Sequence, residues 1–363
     1  MRGFKVFFNN LGYIKMYKIR LISGLSFALA LILTPTLPSL AFGADDVEEV
    51  VAVGSRREAR SVGDSPAPVD IISGSDFVNQ GAMDLPDMIR TMVPSFNVNT
   101  QPISDAATLI RPANLRGLPP DDMLVLVNGK RRHRGAVISF LGSGISDGAQ
   151  GPDISAIPSI ALKQVEVLRD GAAAQYGSDA IAGIMNFVYK DNAEGTQVEI
   201  RSGSYKEGDG DSWRIAANLG MPFTADGFAN ISIELQESDA TSRSVQRADA
   251  QGLYDGGNKN IWNYPLPAQT WGSPEVSDDL KLVLNLGLAL DDSKDFYLFG
   301  NYAERKVLGG FFFRNPTNRG GVFSKDGGAT RLVGDVAQAT TGAARTCPVV
   351  PVPATGAGSP SDV

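Results

Sequence analysis

The sequence predicts an α+β domain followed by the first strands of a transmembrane antiparallel β-barrel. Three observations predict it. The first 44 residues have the layout of an export signal, residues 65–190 mix short helical and strand patterns, and from Thr196 apolar and polar residues alternate in successive runs. The 363 residues are 43% hydrophobic, ample for one or two domains, yet include one Cys and one His. That scarcity excludes a disulfide-stapled scaffold and leaves nothing for a Cys/His zinc cluster, so no metal site and no cofactor are expected. Beyond residue 44 no run of 18 apolar residues occurs, which excludes a helical-bundle membrane protein and leaves a barrel open.

In the export signal, Lys18 and Arg20 lead into an apolar stretch around Ile19–Leu33, then Pro35, Pro38 and a small-residue tail. Met16 suffices as a start, because the residues before it add nothing such a signal needs. Cleavage after Ala41 or after Ala44 stays open, and the alternative is a membrane anchor that is retained. All five charges of residues 1–44 are basic, so removing them takes the net charge from -7 to -12. Such acidity argues against a nucleic-acid partner. An exported chain with almost no cysteine fits the periplasm or outer membrane.

Residues 45–64 are charged around a short β-prone run, Val47–Val53, too short to bury itself and expected to stay extended and mobile. Within 65–190, Asp84–Met92 predicts a short helix and Met123–Val127 a strand ending in the hairpin signal Asn128-Gly129. Ile157–Lys163 predicts one or two helical turns leading into strand Val165–Leu168. Ala172–Tyr176 predicts a further turn of helix, and Gly183–Lys190 a last strand.

Thr196, Val198 and Ile200 oppose Gln197, Glu199 and Arg201. Trp213, Ile215, Ala217 and Leu219 oppose Ser212, Arg214, Ala216 and Asn218, and Ala229–Leu235 repeats the pattern. Leu280, Leu282, Leu284, Leu286, Leu288 and Leu290 make one apolar face, with Lys281 and Asn285 on the other; Phe296–Glu304 is a fifth, less regular strand. A soluble sandwich also alternates. Two features favour a barrel: short turns at Pro222–Gly227 and Asp291–Asp295 against a long connection from Ser242 to Asp278, and strands near the length that a tilted bilayer crossing needs. Five strands do not close a barrel, and an open edge in lipid leaves backbone groups unpaired. Barrels start at about eight strands, and one with a domain in its lumen implies about 22. Residues 191–363 are therefore expected to be the N-terminal part of a barrel, truncated in an external loop near Cys347, whose partner, if any, is expected beyond residue 363.

Four stretches resemble TonB-dependent outer-membrane receptors. Glu48-Glu49-Val50-Val51-Ala52-Val53 resembles the energy-coupling TonB box, with Ala52 and Val53 departing from the family's usual Val and Thr. Leu115-Arg116-Gly117 and Leu124–Arg131 (LVLVNGKR) resemble the core of the plug. Asp153–Asp170 followed by Gly171–Lys190, DISAIPSIALKQVEVLRD-GAAAQYGSDAIAGIMNFVYK, is the longest match. The resemblance implies a signal peptide over 1–44, a TonB box and linker over 45–64, an α+β plug domain over 65–190, and then the barrel. It also implies active import of a scarce bulky solute across the outer membrane, with the plug and box reached from the periplasm by TonB, and with ExbB and ExbD supplying proton-motive force. A monomer embedded in outer-membrane lipid is expected. An exposed β-prone box suits addition as a strand to a partner's sheet edge, which tolerates side-chain departures.

Within the plug, Arg116, Gly117, Asn128, Gly129, Gly171, Gly177 and Gly183 read as turn architecture and Tyr176 as part of the same motif. Glu166, Arg169 and Asp170 read as structural or gating charges that would pair with a polar barrel wall. The basic run Lys130, Arg131, Arg132, His133 and Arg134 reads either as a solvated loop or as an anion-attracting loop facing the external vestibule. Tyr254, Trp262, Tyr264 and Trp271 are substrate-stacking candidates, with an interfacial aromatic girdle as the alternative. No isolated carboxylate pair and no nucleophile elbow is present, so an enzyme is not expected. A ferric siderophore is the preferred cargo, with cobalamin, oligosaccharide or peptide as alternatives. Three rivals are weighed: a signal-transducing receptor, for which a periplasmic domain before the box is lacking; a passive porin, which lacks plug and box; and a soluble periplasmic module formed by a non-functional truncated piece.

Overall fold

A computed structural model describes residues 50–51, 60–61, 69–98, 102–103, 108–139, 144–169, 173–224, 227–256, 267–291, 294–310, 312–313, 331–333 and 349–351; of 50–51, 60–61, 331–333 and 349–351 only the backbone is described. The export signal and its cleavage sites, Glu48, Glu49, Ala52, Val53, Asp170, Gly171, Trp262, Tyr264 and Cys347 lie outside these residues. Strands β1 (Val50–Val51) and β2 (Arg60–Ser61) pair antiparallel, so the two described residues of the β-prone run are extended and paired with their own chain.

The N-terminal domain follows. Its elements are β3 (Val69–Ser73), α1 (Gly74–Val78), α2 (Leu85–Met92), β4 (Phe96–Val98), β5 (Ala113–Leu115), β6 (Met123–Val127), β7 (Lys130–Arg131), β8 (Leu162–Leu168), α3 (Ala173–Tyr176) and β9 (Gly183–Tyr189). One mixed sheet runs β3-β8-β9-β6-β7, with β6 and β9 parallel and the other pairs antiparallel; β4 and β5 pair separately. All five residues of β6 are buried, because both faces of the sheet are covered. On one face Phe77, Leu85, Met88 and Ile89 from the two helices pack on Val125, Val165, Val167 and Phe187. On the other, Val69, Leu124, Leu126, Leu168 and Ile184 pack with Ala180 and Tyr176. Helix α2 begins after Asp84, with Pro86 in its first turn, where a missing N–H costs nothing. The helical turn expected at Ile157–Lys163 is only a 3-10 turn at Ser159–Ala161, since Leu162 already pairs with Tyr189.

The second sheet is a five-strand antiparallel meander: β10 (Thr196–Gly203), β11 (Ser212–Thr224), β12 (Gly227–Ser238), β13 (Glu275–Asp291) and β14 (Lys294–Leu308). Helix α4 (Ala248–Asp255) sits in the long connection between β12 and β13. Two further short strands, β15 (Arg331–Val333) and β16 (Val349–Pro351), pair with each other.

The burial of this meander is inverted relative to a soluble sandwich. Val198 is 64% exposed, Ile200 73%, Ile215 43% and Leu284 37%, whereas Arg214 and Lys281 are 0% exposed and Glu234 2%. The apolar face points outward and the charged face lies against the N-terminal domain, which is the order a lipid-facing wall requires. Leu284 lies near the middle of β13, and Leu284→Arg is expected to destabilise the wall by about 2–4 kcal/mol in lipid. Folding titrations into vesicles measure this; an unchanged midpoint would contradict a lipid-facing Leu284. Beyond this, no described helix is long and apolar enough to cross a membrane.

Candidate functional site

The alternation of the wall strands delivers every second side chain to the seam with the N-terminal domain, and a chain of ion pairs runs along it. Asp84, just before α2, is the domain's contribution at the centre. Its carboxylate accepts from Arg111, whose Nη1 also donates to Asp87 at 3.1 Å. From the wall, Arg305 Nη2 approaches Asp84 at 3.5 Å and Lys281 Nζ at 4.0 Å. Lys281 in turn meets Glu234 at 2.8 Å and Asp279 at 3.4 Å. Arg214 meets Glu234 at 2.8 Å and Glu199 at 3.1 Å, and donates to Ser159 Oγ at 2.5 Å. Glu199 also holds Arg201. The cations Arg111, Lys281, Arg305, Arg214 and Arg201 are matched by the anions Asp84, Asp87, Asp279, Glu234 and Glu199, so the buried seam is neutral as a whole. Burial by itself pushes the Asp84 carboxyl up, but Arg111, then Arg305, then Lys281 outweigh it and bring the pKa down to about 2.

A second set of contacts fixes the domain's exit into the wall. Asn128 Nδ2 donates to Asn285 Oδ1 at 3.2 Å, and Asn285 Nδ2 donates to the Lys190 carbonyl at 3.0 Å. Asn230 Nδ2 donates to Asn192 Oδ1 at 2.9 Å, and Asn218 Nδ2 donates to Ser232 Oγ at 2.8 Å. Lys190 itself donates to Gln197 at 2.5 Å; burial draws its ammonium down to about 8, against the opposing pull of Glu199. Tyr189 packs edge-on to Phe299 of β14 with centroids 6.2 Å apart.

The hairpin read from Asn128-Gly129 is present, with both residues at positive φ (46° and 73°). Asn128 Oδ1 accepts from the Tyr189 N–H at 2.8 Å, and Asn186 Oδ1 accepts from the Gly129 N–H at 2.9 Å. Gly183 has φ +137°, and a Cβ there would stand 2.5 Å from the Leu168 carbonyl. That position admits no side chain. Arg116 and Gly117 form a left-handed turn in which Arg116 Nη1 donates to the Arg169 carbonyl at 2.5 Å. Gly177, at φ +99°, ends α3.

Two expectations need correction. Glu166 and Arg169 make contacts inside the domain: Glu166 accepts from Gln164 at 2.9 Å and Asn186 at 3.0 Å, and Arg169 pairs with Asp70. The plug charges that meet the wall are instead Asp84, just before α2, and Lys130 and Arg132 of the hairpin. The basic run also sits differently from the vestibule-facing loop. Lys130 lies over the Tyr297 ring at 5.5 Å, Arg131 donates to Asp179 and the Tyr176 carbonyl, and Arg132 donates to Asn301 at 2.6 Å. Asn285 and Tyr297 are in the halves of β13 and β14 nearest their short turn, so the hairpin packs at that end. The hydrogen bond from Arg131 holds the Asp179 carboxyl below its usual range. Arg134 is exposed, 4.0 Å from Asp121.

Of the aromatic candidates, Tyr254 is on α4 and packs with Ala250, Leu253, Ala268 and Phe313. Trp271 is exposed at the end of the same connection, edge-on to Phe312 at 6.0 Å. Both are in the long connection rather than in the wall strands.

Residues 61–184 match the TonB-dependent receptor plug domain. The chain carries a TonB-dependent receptor plug. The plug is followed by wall strands, as in the N-terminal part of such a receptor, and this places the chain in the outer membrane of a Gram-negative bacterium with the plug facing the periplasm. This is a receptor family and not an enzyme family. The vitamin B12 transporter BtuB of Vibrio cholerae is 32% identical over 184 residues, covering 50% of this chain and 27% of the relative. The ferric enterobactin receptor PirA of Pseudomonas aeruginosa is 31% identical over 160 residues, covering 43% and 21%. Among solved structures, the siderophore receptor PirA from Acinetobacter baumannii is 22% identical with a TM-score of 0.48, covering 66% of this chain and 32% of that one. The chain thus spans 21% and 27% of the length of these two curated relatives.

The seam residues Asp84, Arg111, Arg201 and Arg305 were not singled out by sequence. The signal that could have found Arg201 and Arg305 is the charge on alternate positions: Glu199, Arg201, Asp279, Lys281 and Arg305 all fall on the face opposite the apolar one.

Proposed function

We propose that the chain is the N-terminal part of a TonB-dependent transporter that imports a scarce, bulky solute across the outer membrane. The observation that carries this reading is the inverted wall: apolar side chains face outward while a neutral network of buried charges fastens the plug to the inner face. A plug seated against a polar wall leaves a lumen that water can enter once part of the plug moves aside, unlike an apolar core. In this reading residues 1–44 are the export signal, 45–64 the TonB box and linker, 65–190 the plug, and 191–363 the opening strands of a barrel of about 22. Glu48 to Val53 are captured by TonB, and ExbB and ExbD deliver the proton-motive force.

The preferred cargo is a ferric siderophore. Support comes from relatives named as ferric enterobactin receptors. With Lys130, Arg131 and Arg132 engaged by the plug and wall, the basic hairpin no longer argues for an anion, and Arg134 and Trp271 remain as candidate contacts. Cobalamin is the second reading, favoured by the similarity to vitamin B12 transporters. Transcript levels in iron-starved against iron-replete cells decide between them. The expected result is induction by iron starvation; induction by cobalamin depletion or by a glycan alone would overturn the siderophore assignment.

A further inference from the structure

The contacts that fasten α1 and α2 to the wall divide the plug into a part that tension on its N-terminus can draw away and a part that it cannot. β3 has one neighbour, β8. It is also the first strand of the plug sheet, so tension arriving at Val69 loads its pairs in turn, from Val69↔Leu168 to Ser73↔Gln164. Helix α1 comes next, five residues long with only Phe77 buried, and so short a helix has little stability of its own.

At its C-terminal end the resistance changes in kind. The Arg201 guanidinium on β10 donates through Nη1 to the carbonyls of Gln80 (2.6 Å) and Ala82 (3.2 Å). Its Nη2 donates to the carbonyls of Phe77 (2.8 Å) and Val78 (2.9 Å). A helix end leaves carbonyls in need of donors, and here the wall supplies them. Asp84 lies just past this clamp, enclosed by Arg111, Arg305 and Lys281. Drawing it out would leave three buried cations facing one another, so these contacts give way together or not at all.

We propose that Arg201 and Asp84 are positioning residues for transport, forming a stop at which the pull ends: β3 and the first residues of α1 leave the plug, while the end of α1 held by Arg201, α2 and strands β8, β9 and β6 stay on the wall. The exit of the plug is anchored too, through Asn285 on the Lys190 carbonyl and Asn230 on Asn192. Departure of β3 therefore opens a passage along the exposed edge of β8 without releasing the domain. The inference rests on the transporter reading above.

The test uses the full-length receptor with Cys347→Ser, carrying either Ile72→Cys in β3 or Met88→Cys in α2, positions that are 7% and 0% exposed. Cells are supplied with ferric enterobactin and cyanocobalamin in separate assays, with a periplasmic maleimide as the label. With proton-motive force, Ile72→Cys is expected to label on the order of tenfold faster than in de-energised cells, as local opening exposes it, while Met88→Cys stays protected. Adding Arg201→Gln should let Met88→Cys label in energised cells and leave it protected in de-energised ones. Energised uptake with Met88→Cys labelled as fast as Ile72→Cys, with Ile72→Cys never labelled, or with Met88→Cys still protected in the Arg201→Gln receptor would overturn the stop. Labelling of Met88→Cys without energy in that variant would overturn it too, by reducing Arg201 to a folding role. Uptake that does not depend on proton-motive force would remove the transporter reading and the stop with it.

Discussion

Asp84→Asn is expected to loosen the plug from the wall by about 3–5 kcal/mol, the usual cost of removing one member of a buried ion-pair set. The carboxylate is 6% exposed and stands between Arg111, Arg305 and Lys281. An amide of the same shape leaves those three cations facing one another, with Asp87, Asp279 and Glu234 as the remaining counter-charges. Denaturant titration of the purified full-length receptor, read by protease cleavage within the plug, measures the change. Asp84→Asn combined with Lys281→Met should recover much of the loss, because it removes one stranded cation together with the anion. Acid supplies an independent check. The folded carboxyl titrates at about 2, below its ordinary unfolded value near 3.9. Its contribution is therefore complete above about pH 4 and is lost as pH falls from about 4 to about 2, on the order of 2–3 kcal/mol in all. The wild-type plug should become protease-sensitive across that window, and Asp84→Asn should lack this step. Equal acid profiles would mean that the seam charge does not hold the plug.

Much of this architecture was legible in the residues. The strict period of two in Leu280–Leu290 places Lys281 and Asn285 on the opposite face whatever the fold, and the short turn after Asp291 fixes β14 as its neighbour. Asn128-Gly129 fixes its hairpin because few other residues take positive φ twice in succession. What the alternation could not tell is which face meets lipid, since a sandwich and a barrel wall share the pattern; only burial separates them, with Arg214 inside and Ile200 outside. The partner choice of charged residues was also hidden. Glu166 sits in a strand that looks poised to meet the wall, yet Asn186 on the neighbouring strand satisfies it. Arg201 finds its four acceptors in carbonyls more than a hundred residues earlier in the chain, and main-chain acceptors leave no trace in side-chain identity. The basic run is exposed at Lys130, Arg131, His133 and Arg134, as a solvated loop would be, but which end of the wall it meets is hidden until the acceptors Asp179 and Asn301 and the Tyr297 ring are brought beside it.

Val51→Pro in the full-length receptor is expected to lower energised uptake by on the order of 100-fold while leaving solute binding at the cell surface unchanged. The box is read as a strand that adds to the edge of a periplasmic partner's sheet, and the backbone of Val50–Val51 is already extended, paired with Arg60–Ser61. Proline at 51 removes one N–H and fixes φ, which a sheet edge accepts only where the donor faces away. Losing one or two backbone hydrogen bonds at about 1–1.5 kcal/mol each accounts for a reduction of that order. Val51→Thr, which keeps the donor and the β-branched shape, should transport at close to the wild-type rate. The pair of variants separates backbone recognition from side-chain recognition: failure of both would assign the contact to the valine side chain, and wild-type uptake by Val51→Pro would show that this segment is not the one pulled. Because the box is separated from the seam by the linker and β3, neither variant should change the protease resistance of the plug. A Val51→Pro receptor with a loosened plug would therefore point to a fault in folding, and one with an intact plug and silent transport to a broken connection between the energy source and the stop at Arg201 and Asp84.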